Sequence, residues 1–469
     1  MNLRAMSGVG RKYWVYGGDL GGHRWTHDEN FCINGVVNPD RTVHPAIHEV
    51  KKAYSPIGFK LSGKNTLEIE NRNLFTPLSD YTFNWQLTCN GKIIEQGNFT
   101  IAGDPLSTVN FTVPMQEIAP RAGQEYFLNL QAMTVAGSAL VPAGHQVADE
   151  QLALSGEDFF KARHNAVGAT PVTMETITAE NQPDKLRFTS GNVTAIINKG
   201  NGLLVSYNIN GKEMLLAPMR PDFWRAPIDN DFGFGMESES NIWRTAGART
   251  IARDVTVTEN AGSYNVTANL ELRDLGIPMT ITYRVNPGCV IDITSSIDLK
   301  GRENLPEFPR FGMNTCIDNS LDLVNYYGRG PWENYVDRSW SSYVGNYTST
   351  VDELNFEYIR PQENGYRTDV RTVSLTNPAD GTGIAFEGIG GPVCFGAKRN
   401  TTADLDPGLT KKQMHTVDID PRNEIYLNID LGQTGIGGTN SWGARTLEQY
   451  RLKAGEKYTY TFSLSPVSK

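Results

Sequence analysis

The chain has 469 residues, 39% of them hydrophobic and 20% charged, with a net charge of −9 and a pI near 5.4. That length predicts more than one domain, and the acidic balance excludes the basic face of a nucleic-acid binder. No run approaches the ~20 apolar residues of a membrane span, and no apolar core of a signal peptide opens the chain, so a cytoplasmic protein is expected.

Residues 1–54 end in one predicted helix. Thr42 can cap it, Pro45 sits in its first turn, and Ala46, Ile47, Val50, Ala53 and Tyr54 repeat at helical spacing before Pro56 and Gly58 stop it. A lone helix of that length needs a surface to pack on, which points to a missing partner or to a second copy of the chain.

From 57 to 155 the period changes to two. Strands are predicted at Phe59–Leu61, Thr66–Ile69, Thr82–Thr88, Lys92–Phe99, Thr108–Val113, Tyr126–Met133 and Gln151–Leu154. Asn90-Gly91 supplies a hairpin turn of type I′, and Phe83, Trp85 and Leu87 share an inward face. Seven short strands in about 100 residues predict an immunoglobulin-like sandwich.

Residues 156–174 are mixed and polar and read as a linker. Strand patterns then resume to the end, among them Leu186–Thr189, Val193–Ile197, Leu203–Ile209, Ile277–Val285, Val290–Leu299 and Tyr458–Leu464. A large β-sandwich over 175–469 is expected, with no fixed repeat that would make it a propeller or solenoid.

Cys32, Cys89, Cys289, Cys316 and Cys394 are odd in number and scattered. They form neither a disulfide framework nor a zinc site, and read as thiols of a reducing compartment. His44 and His48 stand four apart at a helix start, but no third ligand follows, so a metal is not expected there. In Gly435-Ile436-Gly437-Gly438-Thr439-Asn440-Ser441-Trp442-Gly443 a glycine-rich loop carries one indole. Trp442 either fills a core under a tight loop or offers a flat face to a sugar ring.

Five ordered motifs carry a resemblance: Tyr16-Gly17-Gly18-Asp19 with Phe31-Cys32-Ile33-Asn34-Gly35 and His44-Pro45-Ala46; Phe223-Trp224-Arg225-Ala226-Pro227-Ile228-Asp229-Asn230-Asp231; Gly328-Arg329-Gly330-Pro331-Trp332-Glu333 through Asp337-Arg338; Arg360-Pro361-Gln362-Glu363-Asn364-Gly365; and the loop ending in Trp442. Together they resemble the C-terminal portion of β-galactosidases of glycoside hydrolase family 2. The resemblance implies a mainly β chain in which 1–54 is the end of a (β/α)8 catalytic barrel. It makes 57–155 an immunoglobulin-like domain and 175–469 the family's large sandwich, similar in fold to galactose mutarotases.

It also implies a retaining hydrolase of terminal β-D-galactose, acting on galactosides such as lactose with two glutamates that lie upstream of Tyr13. This chain alone is then expected to be inactive, its partner being a catalytic portion or large subunit. Sodium and magnesium are implied for the complete enzyme. Only part of the sodium site falls here, at the Phe31 carbonyl and the Asn34 side chain. Phe31, Asn34 and Trp442 are the implied substrate contacts. Taken as residues alone, Phe31 equally suits a core and Asn34 a turn.

Asp229 and Asp231 could form a cation or sugar site and Glu333, Asp337 and Arg338 a polar network at an interface, but these, like Glu363, read more readily as structural braces. The competing functions are a non-catalytic carbohydrate-binding module and, by fold analogy alone, an epimerase. The latter finds only His415 as a histidine in the last domain.

Overall fold

A computed structural model describes residues 4–6, 10–21, 25–155, 159–160, 176–440 and 442–468. The linker predicted at 156–174 lies, apart from 159–160, outside the described residues. The chain forms two compact units: one of 1–45, 170–342 and 347–469, the other of 46–169 and 343–346. The helix that ends the segment 1–54 falls in the second of these units.

Among the described residues the smaller unit is a seven-stranded sandwich. One sheet orders Ile57–Leu61, Thr66–Asn71 and Thr108–Thr112; the other orders Lys92–Phe99, Tyr81–Cys89, Tyr126–Thr134 and Gln146–Ser155. Alternation decides which face is buried. Phe83, Trp85 and Leu87 meet Leu128 and Leu130 from their own sheet and Phe59, Leu67 and Ile69 from the other in one core. Asn90 and Gly91 both take positive φ (47° and 72°), as a type I′ turn demands.

The helix spans Ala46–Ala53. Its Ile47 and Val50 are only half-buried, and its buried anchor is Lys52. That ammonium donates to the carbonyl of Asp149, to Tyr343 Oη at 2.9 Å, and pairs with Glu150 at 3.0 Å. The helical pattern was legible; its chief tether is a charge, not the apolar stripe.

The larger unit contains a five-stranded sheet over 178–213, a nine-stranded sheet, and a second five-stranded sheet. The nine-stranded sheet begins with the meander Thr250–Asn260, Ser263–Leu272, Ile277–Asn286 and Val290–Asp298, to which Lys457–Val467 adds. The second five-stranded sheet orders Arg220–Asp222, Arg310–Asp318, Glu424–Gln433, Val393–Lys398 and Arg367–Val370.

One face of this last sheet is apolar: Met313, Phe395, Leu427 and Ile429 join Phe386, Phe462 and the meander in a common core. The alternate residues make the opposite face polar, and it is partly buried. Arg310 (2% exposed) lies there with three carboxylates: Asp222 at 3.1 Å, Glu363 at 3.4 Å and Asp430 at 3.4 Å. Gly312 is required beside them, because a Cβ would stand 1.8 Å from the Asp430 carboxylate.

Burial opposes ionisation of both Glu363 and Asp430, but they resolve differently. Lys398 and Arg310 pull Glu363 below the ordinary range, whereas Asp430, sharing Arg310 with Asp222 and Glu363, is pushed up to about 7. A carboxyl whose folded pKa exceeds its unfolded value of about 3.9 binds a proton more tightly when folded. Its contribution is therefore complete below pH ~4 and lost as pH rises through ~7. Asp430→Asn cannot titrate, yet its amide oxygen can still accept from Tyr366 Oη, now 3.0 Å away. Urea unfolding between pH 4 and 8 is expected to show a shallower decline over pH 4–7 in the variant; parallel profiles would contradict the assignment.

Candidate functional site: a cleft at the tip of the glycine loop

The segment before the helix is stitched onto the larger unit through residues 411–420. Tyr16 Oη donates to the carbonyl of Met414 (2.7 Å) and accepts from its N–H (2.8 Å). His415 Nε2 meets Asp19 Oδ2 at 2.8 Å, with the rings of Tyr13 and Tyr16 each 4.5 Å from the imidazole. The one histidine of the last domain is thus a clasp between segments.

This docking brings residues 28–35 against the glycine loop. Between them lies a cleft of about 420 Å³ lined by Phe31, Asn34, His44, Asp229, Tyr358 and Trp442, among others. Trp442 is 77% and Phe31 54% exposed, so neither is a core residue. Their rings stand 5.5 Å apart at 56°. The structure brings all three sequence-predicted site residues to this one cleft.

Braces from distant motifs position the loop. Asp337 accepts from the N–H groups of Ile436 (3.0 Å) and Gly437 (2.9 Å) and from Thr446 Oγ1 (3.0 Å). A Cβ on Gly435 would approach that carboxylate to 2.4 Å, which is why glycine stands there. Asn230 Nδ2 holds the carbonyl of Ile436 at 3.0 Å. Arg225, fully buried, pairs with Asp231 at 2.7 Å and reaches the carbonyl of Gly435. Beyond them, Asn440 Oδ1 accepts from the Trp442 N–H at 2.9 Å.

Two carboxylates, Asp229 on the cleft wall and Glu333 behind Tyr358, are clasped in the same manner. Asp229 pairs with Arg360 (3.0 Å) and Lys411 (2.8 Å) and accepts from Asn30 Nδ2 (2.9 Å). Glu333 takes Arg338, the hydroxyl of Tyr358 and the N–H of Gly365 (2.7 Å). His44 Nε2 is 2.8 Å from Asn38 Oδ1; burial lowers its pKa, leaving a neutral ring against Phe356. The acidic motif residues are therefore braces, with Asp229 alone both bracing and facing the cleft. Lys411 and Tyr358 carried no sequence signal, since each reaches the cleft only through the tertiary fold. Among the described residues no group of three or more His, Cys, Asp or Glu is arranged to hold a metal ion.

Residues 189–464 match the family model for the β-galactosidase small chain, more than half of the sequence. The chain belongs to the β-galactosidase small-chain family. Residues 67–155 match β-galactosidase domain 4, and residues 3–59 match the TIM barrel domain of glycosyl hydrolases family 2. Curated relatives named β-galactosidase include one from Priestia megaterium, 31% identical over 99% of this chain and 44% of that protein. Another, from Vibrio cholerae, is 31% identical over 97% of this chain and 43% of that protein. The chain thus spans less than half the length of these relatives. A galactose mutarotase related enzyme from Lactobacillus acidophilus aligns over 62% of this chain and 97% of its own, at 12% identity and a TM-score of 0.32.

Within this β-galactosidase small-chain member, Asp337→Ala removes a charged acceptor from two loop amides, each bond of a kind worth about 1.5–3 kcal/mol. Hydrogen exchange at Ile436 and Gly437 is expected to speed up by at least about tenfold, with a much smaller change at core strands such as Leu427–Ile429. Unchanged exchange at those two amides would contradict the bracing role.

Proposed function

We propose that this chain is the C-terminal portion of a retaining β-galactosidase that releases terminal non-reducing β-D-galactose from galactosides such as lactose. In that enzyme it provides scaffold and one wall of the sugar site. The observation carrying this reading is the pair of exposed rings, Phe31 and Trp442, 5.5 Å apart at a cleft of small-ligand size. Exposed aromatic faces bury the C–H face of a pyranose while its hydroxyls reach polar neighbours. Here Asn34, Asp229 and Gln362 stand on the cleft wall. The bonds that fix the loop backbone at Ile436 and Gly437 lower what a substrate bound nearby would lose to loop ordering.

Retention needs two carboxyl groups about 5–5.5 Å apart, one as acid/base and one as nucleophile. A whole (β/α)8 barrel takes about 250 residues, and the barrel match here is confined to 3–59. We assign neither role to this chain. Asp229 is already engaged by two cations and an amide. The partner is a polypeptide carrying the remaining barrel strands, with self-association as a second contact. The five cysteines, scattered and without a disulfide among the described residues, support a cytoplasmic enzyme.

The sodium donors attributed to this chain, the Phe31 carbonyl and the Asn34 amide oxygen, are of the right hard-oxygen type. Two donors do not complete the shell of such an ion, about six oxygens, so the fit is incomplete and no step is drawn through it. No residue of this chain is assigned to magnesium.

Co-expression with a barrel-bearing fragment of a relative tests the proposal. The purified chain is expected to show no turnover of a chromogenic β-galactoside, and the complemented assembly to show it. Trp442→Ala in the assembly should lower kcat/KM for lactose by about tenfold, as for one lost stacking contact. Turnover by the chain alone would contradict the assignment, as would silence of a properly assembled complex.

A further inference from the structure

A second hollow lies on the polar face of the five-stranded sheet that contains Arg310. Its volume is about 740 Å³, larger than the cleft at Trp442 and within the range of about 300–1,000 Å³ typical of small-ligand sites. Strands form its floor. The turns at 243–250 form one wall and the segment 400–408 the other. No residue lining it lines the Trp442 cleft.

Strand register places a polar row across the floor. Arg220 stands opposite Asn314, and Asn314 opposite Asn428. Residues paired in this way present side chains on the same face, and three neighbouring strands span roughly 10 Å. Two residues further along, on the same face, Tyr426 stands opposite Cys316, half-buried and lining the hollow.

Almost every charge around the hollow is already neutralised. Asp222 is paired with Arg310, Lys398 with Glu363, and Arg244 with Asp406. Arg220 is the exception. It is exposed, its Nε donates to Asn314 Oδ1 at 3.1 Å, and among the described residues no carboxylate pairs with it. Asn428 uses its amide nitrogen on Asp222 at 2.8 Å. The row therefore has hydrogen-bonding capacity left over, as donors at Arg220 and Asn314 and an acceptor at Asn428 Oδ1. Such a set matches hydroxyl groups, each of which both donates and accepts. A single unpaired guanidinium is a poor cradle for a phosphate group, and an apolar ligand would leave Arg220, Asn314 and Asn428 without partners for their spare donors and acceptor.

We propose that this hollow is a second carbohydrate-binding site, taking a neutral saccharide of one or two pyranose rings, with Arg220, Asn314 and Asn428 on its hydroxyls and Tyr426 against a ring face. The site is independent of the Trp442 cleft and of any hydrolysis carried out there.

The test is calorimetric titration of the full chain with galactose, glucose, lactose and cellobiose, backed by saturation-transfer NMR. Wild type, Trp442→Ala, Arg220→Ala and Asn314→Ala are compared. At least one saccharide is expected to bind, with an affinity unchanged by Trp442→Ala and weakened at least about tenfold by Arg220→Ala and by Asn314→Ala. Arg220→Lys should recover part of the loss. Arg220 is exposed, so its variants are expected to keep the wild-type melting temperature, which serves as the folding control. Three results would overturn the site: no saccharide bound by Trp442→Ala up to about 20 mM, affinity unaffected by the Arg220 and Asn314 substitutions, or heat from inorganic phosphate in place of any sugar. Loss of all binding with Trp442→Ala would leave the first cleft standing and remove this one.

Discussion

Arg310 stands where separate stretches of the chain converge, and its single positive charge faces Asp222, Glu363 and Asp430. Desolvating one cation and three anions is costly, and mutual attraction repays it only when geometry and further hydrogen bonds are good. Here the additional bonds are present: Lys398 takes Glu363, Asn428 takes Asp222, and Tyr366 takes Asp430. Removing Arg310 would leave three carboxylates gathered without their common partner, which is why the sheet's polar face depends on it.

That constraint reaches outward by short steps. The strand ending at Gln433 runs on into Gly435 and the loop, where Arg225, Asn230 and Asp337 take hold of the backbone. Glu363 belongs to the same hexapeptide as Arg360, whose guanidinium clasps Asp229 on the cleft wall. The exposed indole thus rests on a chain of charged contacts that begins in the interior. A family resemblance names the residues at the cleft; these contacts explain how the backbone leading into the loop is held.

Much of the β architecture was legible because it is written in short-range patterns. The alternation of Phe83, Trp85 and Leu87, and the Asn90-Gly91 turn with both φ values positive, are signals a few residues long. The contacts that build the cleft are not. Asp337 and Gly437 are 100 residues apart, and Asp19 and His415 are 396 apart. Neither pair leaves any periodic trace. Lys52 shows the same limit within a correctly read helix: its pattern marks a half-buried face, while the buried tether is a cation whose partners lie on distant segments. Motif residues such as Asp337 and Glu333 could be recognised as structural in kind, but what they brace emerges only from the fold.

We propose a division of labour: this chain would shape and wall the sugar site, with the groups that cleave the glycosidic bond on another polypeptide. A 2-deoxy-2-fluoro galactoside with a good leaving group tests it most directly, because retaining hydrolysis passes through a covalent glycosyl-enzyme. Mass spectrometry of the trapped, complemented assembly should find the sugar on the barrel-bearing partner and none on peptides of this chain. A fluorogalactosyl ester on any carboxylate of this chain would contradict the account.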